Sequence, residues 1–240
     1  MKEFFIAYYS IIIKALEILA AVTGIICFKK FKGHHERYFI YFLIYILFVE
    51  NIGSYTIYIN KYESLRFIKE LVAGTIFQKN YWWYQIFWVS GSALFLCFYY
   101  YKIEKNKNAK KNISRLGYVF LLISILLIVF KSQTLKNNNI EILDVLSFIT
   151  ILLLIINYFF QTLNTEKILK FYYNLTFYIS CGFLIFIILI TPLTFFESYF
   201  NTSDWNFIIL KWQIMFFANV FMYSTFTVGL IVSKPNKLIT

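Results

Sequence analysis

Long runs of apolar side chains, each broken by a short polar and mostly basic stretch, recur from "FFIAYYSIIIKALEILAAV" near the start to "FFANVFMYSTFTVGLIV" near the end. A hydrocarbon core about 30 Å thick needs roughly 20 residues of helix at about 1.5 Å each. Seven runs meet that length: residues 4–28, 38–60, 82–101, 116–132, 142–163, 172–195 and 207–232. Backbone N–H and C=O groups find no water in lipid, so uninterrupted runs of this kind must be helices. Nothing shows the ten-residue alternation of a transmembrane barrel. The pattern predicts an all-α, polytopic membrane protein, one bundle of seven transmembrane helices over residues 1–240. The fourth run is the shortest, with room for its helix to begin in the preceding loop. Pro192 in the sixth marks either a kink or a helix end.

Composition excludes the alternatives. Hydrophobic residues make up 60% and charged residues 15%, against about 45–50% and about 25% in an average soluble domain. Gly and Pro are too scarce, at 8 and 2, for a collagen-like or disordered chain. Lys14 and Glu17 interrupt the first run, which therefore reads as a retained span and not as a cleaved signal peptide. Cys27, Cys97 and Cys181 fall in different runs, without disulfide or metal spacing, and read as small apolar packers.

The net charge of +11 is unevenly placed. With the N-terminus outside, fourteen Lys and Arg flank the inner ends of the spans and seven the outer ends, an asymmetry that predicts N-out/C-in. Placement at span ends points to the lipid bilayer as the partner of this charge, not nucleic acid. The densest cluster, "KIEKNKNAKKNISR", also suits the acidic surface of a cytoplasmic protein partner docked at the basic inner loops. In the longest loop, Leu65, Ile68, Leu71 and Val72 have the spacing of an amphipathic helix, either lying on the outer surface or capping the bundle. "YWWYQIFW" after it reads as an interfacial aromatic belt.

Ionisable residues deep in a span cost about 2.5–3.5 kcal/mol each and usually face the bundle interior. Lys14, Glu17 and Glu50 qualify. Lys14 and Glu17 share a helical face. At about 1.5 Å per residue, Lys14 and Glu50 lie about 15 Å below the outer end and Asn219 about 18 Å, with Asn51 beside Glu50. These five residues form the candidate ligand or ion site, and two readings of it stand open: a structural clamp between helices, or a site for a ligand, proton or ion.

Enzyme chemistry finds no support in the sequence. There is no HExxH pattern, and Asp144 and Asp204 fall near outer span ends. Ser90 and Ser92 have no histidine in any span to serve as base, and read as sites of close helix packing. His34 and His35 are adjacent, on different faces, and lack further ligands, so neither a metal nor another cofactor is expected. The final span carries Asn219 where a retinal-type lysine would sit.

The stretches "FVENIGSY", "FYISCGFLIFIILITP" and "FFANVFMYSTF" resemble a group of small, uncharacterised seven-helix integral membrane proteins of Bacteroidota. The resemblance implies seven spans and a sensory or accessory role, and carries over no catalytic residue. The expectation is a receptor-like or sensory protein without enzyme activity, in the cell membrane (the inner membrane of a bacterium), relaying a signal to a separate cytoplasmic partner. A proton-linked transporter or channel and a structural accessory subunit are the alternatives.

Overall fold

The computed structural model describes residues 2–163, 171–197 and 205–235. Helix is the only regular structure among them: α1 (Lys2–Cys27), α2 (Arg37–Gly53), α3 (Tyr55–Lys61), α4 (Arg66–Val72), α5 (Tyr81–Trp83), a π-helical segment (Tyr84–Ser90), α6 (Gly91–Ile103), α7 (Lys107–Phe130), α8 (Glu141–Leu163), α9 (Leu175–Glu197) and α10 (Trp205–Val232). Seven helical stretches are long and apolar enough to cross a bilayer: Tyr8–Cys27, Arg37–Lys61, Tyr81–Ile103, Lys107–Phe130, Glu141–Leu163, Leu175–Phe195 and Phe207–Val232. Large apolar side chains such as Ile26, Phe48 and Phe130 stand exposed along them. A protein in water does not expose so much apolar surface, whereas lipid solvates it, and the chain is a multi-pass membrane protein. Lys167, Lys170, Lys237, Asn201 and Asp204 lie outside the described residues.

Three spans differ in detail from the sequence pattern. The second breaks at Ser54 between α2 and α3, and the third passes through the π-helical segment. The fourth starts at Lys107 and not at Leu116, because Asn106 caps it: its Oδ1 accepts from the N–H groups of Asn108 and Ala109 at 2.9 and 3.3 Å. Pro192 does not end its helix, since α9 runs on to Glu197. Along α4 and its N-cap, Leu65, Ile68 and Val72 are half-buried as the spacing predicts, but Leu71 turns outward with Phe67. These two are four residues apart and form a second apolar stripe.

Contacts divide the chain into two compact units, residues 1–43 with 155–240, and residues 44–154, the divisions falling inside α2 and α8. In the first, α10 packs against α1 and α9. Small residues permit this approach: Ala20 and Ala21 are fully buried, Gly182 faces the ring of Phe226, and Gly229 faces Tyr178. Phe226 meets Phe39 edge-on with centroids 4.9 Å apart and lies 5.3 Å from Phe183.

The same unit ties its last helix to its first loop. Lys30 Nζ donates to the carbonyls of Leu230 and Ile231, both at 2.9 Å, where α10 ends. The terminal carbonyls of a helix lack intrahelical donors and carry the negative end of its dipole, so an ammonium there is favoured. Burial pulls the Lys30 pKa below the ordinary lysine value, with Cys27 acting in the opposite sense. Lys30→Met is expected to cost about 1 kcal/mol and to speed amide hydrogen exchange at residues 229–233. Lys30→Arg should preserve protection there, and Lys29→Met, on an exposed neighbour, should leave it unchanged. Equal effects at Lys29 and Lys30 would mean that the charge, and not the contact, matters.

Candidate functional site

The second unit contains a polar network within an otherwise apolar span. It starts from two backbone irregularities. A π-helix widens the turn and releases carbonyls from the i→i−4 ladder, and in lipid each released group must find another donor. Three hydroxyls supply them here. Ser90 Oγ donates to Gln85 O at 2.9 Å, Tyr45 OH to Phe87 O at 2.5 Å, and Ser147 Oγ to Val89 O at 3.2 Å. The π geometry of "YQIFWVS" is thus held by α2 on one side and α8 on the other.

The break in the second span is satisfied from the third. Trp83 Nε1 donates to Val49 O at 2.8 Å and Asn80 Nδ2 to Gly53 O at 2.9 Å. Ser54 Oγ returns to Glu50 O at 2.8 Å. Tyr55 OH donates toward Phe77 O and Lys79 O at 2.6 and 2.9 Å, and accepts from Trp82 Nε1 at 3.1 Å. Gly53 makes the approach feasible: a Cβ there would stand 2.8 Å from the Tyr84 ring and 2.9 Å from that of Trp83. "YWWYQIFW" is therefore more than a belt, since Trp82 donates to the Tyr55 hydroxyl, Trp83 to a backbone carbonyl and Tyr84 to a carboxylate.

Two acidic residues meet the π segment at consecutive positions. Tyr84 OH donates to Glu50 Oε2 at 3.0 Å, and Gln85 Nε2 donates to Asp144 Oδ1 at 2.6 Å. Gln85 is fully buried and Asp144 is 7% exposed. Asp144 lies at the span end where the sequence put it, in the first turn of α8, where the helix dipole favours a carboxylate, but it is covered and not open. Gln85 Oε1 is buried without a hydrogen-bond partner among the described residues. The two ends of a carboxamide are distinguished only by their partners. A carboxylate accepts from the amide N–H; with the amide reversed, a protonated Asp144 donates to its oxygen across the same short distance. Passing between the two forms requires the carboxamide of Gln85 to turn over, exchanging its nitrogen and oxygen.

The five residues singled out from sequence divide between the units. Lys14, Glu17 and Asn219 belong to the first, Glu50 and Asn51 to the second. Glu17 is buried at 6% exposure and Lys14 is half-buried one turn before it. Asn219 and Asn51 each direct their amide to their own helix, at Met215 O (2.8 Å) and Leu47 O (2.7 Å), and Asn51 is exposed. Glu50 is half-buried and engaged by Tyr84, a partner that the depth argument did not name. Tyr45, Tyr84, Gln85, Asp144 and Ser147 were not anticipated either. The available signals were the lone Gln85 inside an aromatic run and the acidic first turn of the fifth span. No family model matches the chain, and no curated protein or solved structure matches it.

Proposed function

We propose that this chain is a receptor-like or sensory protein of the cell membrane, oriented N-out/C-in, that relays a state of its second and third spans to a separate cytoplasmic partner at the basic inner loops. The observation that carries the reading is the π-helical segment. Its carbonyls are held by Tyr45 and Ser147 from flanking helices, and its adjacent residues Tyr84 and Gln85 pair with Glu50 of α2 and Asp144 of α8. Such a segment has a competing α-helical register one residue away, so a change in either acidic pair can bias two arrangements of the third span. The resemblance to small seven-helix proteins of Bacteroidota implies a sensory or accessory role.

A proton-linked transporter is the second reading, favoured by the carboxylates of Glu17, Glu50 and Asp144 inside spans. Reconstituted vesicles with an imposed pH gradient separate the two. On the sensory reading the protein leaves the gradient no leakier than in protein-free vesicles, and crosslinking in native membranes joins a defined protein to the inner loops. Proton flux lost in Glu50→Gln would overturn the sensory reading in favour of transport. If Glu50→Gln only lowered the amount of protein, with neither flux nor crosslink in the parent, the accessory-subunit reading would replace both.

A further inference from the structure

Four cations of α7 share one helical face with nothing acidic among them. Lys107, Lys110, Lys111 and Arg115, with Ser114 and Tyr118, follow the 3-and-4 spacing of a single stripe and line an open recess of about 410 Å³ closed on one side by Tyr101. Lys110 Nζ lies 4.6 Å from the centroid of the Tyr101 ring. The arrangement works against the helix that carries it. Lys107, Lys111 and Arg115 are like charges at successive i,i+4 positions, and all lie toward the positive end of the helix dipole. No Asp or Glu occurs between Lys107 and Phe130. Nearby, Glu104 directs its carboxylate to the N–H groups of Lys105 and Asn106 at 2.7 and 2.8 Å, and Asn106 caps the helix. A bound anion would offset this repulsion.

What lies below the recess identifies the anion. The polar part of α7 ends at Arg115 and the apolar part begins at Leu116, so Arg115 stands at the hydrocarbon boundary. At about 1.5 Å per residue, Lys111 and Lys107 are about 6 and 12 Å above it, the depth of a headgroup layer. Tyr118, Leu122, Ile125 and Val129 continue the same face into the hydrocarbon, and all are exposed. We infer that the recess at the start of α7 is a binding site for an anionic phospholipid, with the headgroup phosphate among Lys107, Lys110, Lys111 and Arg115 and the acyl chains along the apolar track. A soluble phosphate would have no use for the track, and an acidic peptide would find it buried in lipid. The inference needs neither the sensory reading nor a particular orientation, and it leaves the loop of Lys29 to Arg37 for a protein partner.

The test uses the purified full chain in neutral detergent, with lipid retention counted by native mass spectrometry during titration with phosphatidylglycerol or phosphatidylcholine. A preference for phosphatidylglycerol of about tenfold or more is expected in the first binding event, since each basic group at a surface contributes several-fold. Lys110→Gln with Arg115→Gln should bring it near parity. Lys110→Arg with Lys111→Arg should keep it, which separates lost charge from lost fold, and Lys29→Gln with Lys32→Gln should leave it intact. Glycerol 3-phosphate, which has the phosphate without chains, should not displace the lipid. Displacement by it would overturn the inference in favour of a soluble phosphate ligand. A poly-glutamate peptide that binds through these residues, with no lipid preference, would overturn it in favour of a protein partner. Equal retention of both lipids by the parent chain would leave no headgroup site.

Discussion

Gln85→Leu is expected to lower the unfolding free energy by about 2 kcal/mol, because a buried hydrogen bond to a carboxylate is worth about 1.5–3 kcal/mol and Asp144 stays buried without the amide donor. Leucine matches glutamine closely in volume, so cavity formation adds little. The decisive comparison is with the double replacement Gln85→Leu/Asp144→Leu. Replacing both partners by apolar groups removes the desolvation penalty together with the bond and is often neutral or stabilising, so the double variant should recover most of the loss. Unfolding midpoints in detergent, taken through the full cycle of parent, two singles and double, measure this. A double variant as unstable as the sum of the singles would show that the amide and the carboxyl act separately, and would remove the pair from the site.

Gly229→Ala is expected to destabilise the first unit by about 1–3 kcal/mol, the usual cost of an overpacked core position. Two effects oppose each other. Alanine is the better helix former by about 0.8–1 kcal/mol, which in an open position would make the change favourable. Here a Cβ would stand 2.6 Å from Tyr178 Cβ and 2.8 Å from its Cγ, with Leu175 Cδ1 at 3.2 Å. Tyr178 Cβ is fixed to the backbone of α9, so relief requires the two helices to separate. Gly182→Ala should cost less, since the obstructing atom is the edge of the Phe226 ring at 2.6 Å and a ring can tilt. Thermal unfolding of the two variants side by side gives the ranking. A stabilised Gly229→Ala protein would mean that α9 and α10 are not held as close as described.

The seven spans were legible because each is decided by its own length and hydrophobicity, needing no knowledge of its neighbours. Glu50 was legible for the same reason, as a charge isolated in an apolar run. The start of α7 was half legible: the apolar window opens at Leu116, but Asn106 followed by lysines and alanine is a readable helix start. The π-helical segment could not be read locally. The hydroxyls that stabilise it come from Tyr45, 42 residues before its acceptor, and Ser147, 58 residues after. Gln85 and Asp144, separated by 59 positions, are bound by the same limit. An aromatic run averages to "interface" in any window, and only the fold reveals which of its polar atoms are needed.

The exchange of hydrogen bonds between the second and third spans also constrains biogenesis. Alone in a bilayer, the second span would present the Gly53 carbonyl at its break to hydrocarbon, and the third would present that of Phe87. Each span is thus a poor guest for lipid until the other arrives. Entry of the two spans into lipid together, as a helical hairpin, avoids that exposure.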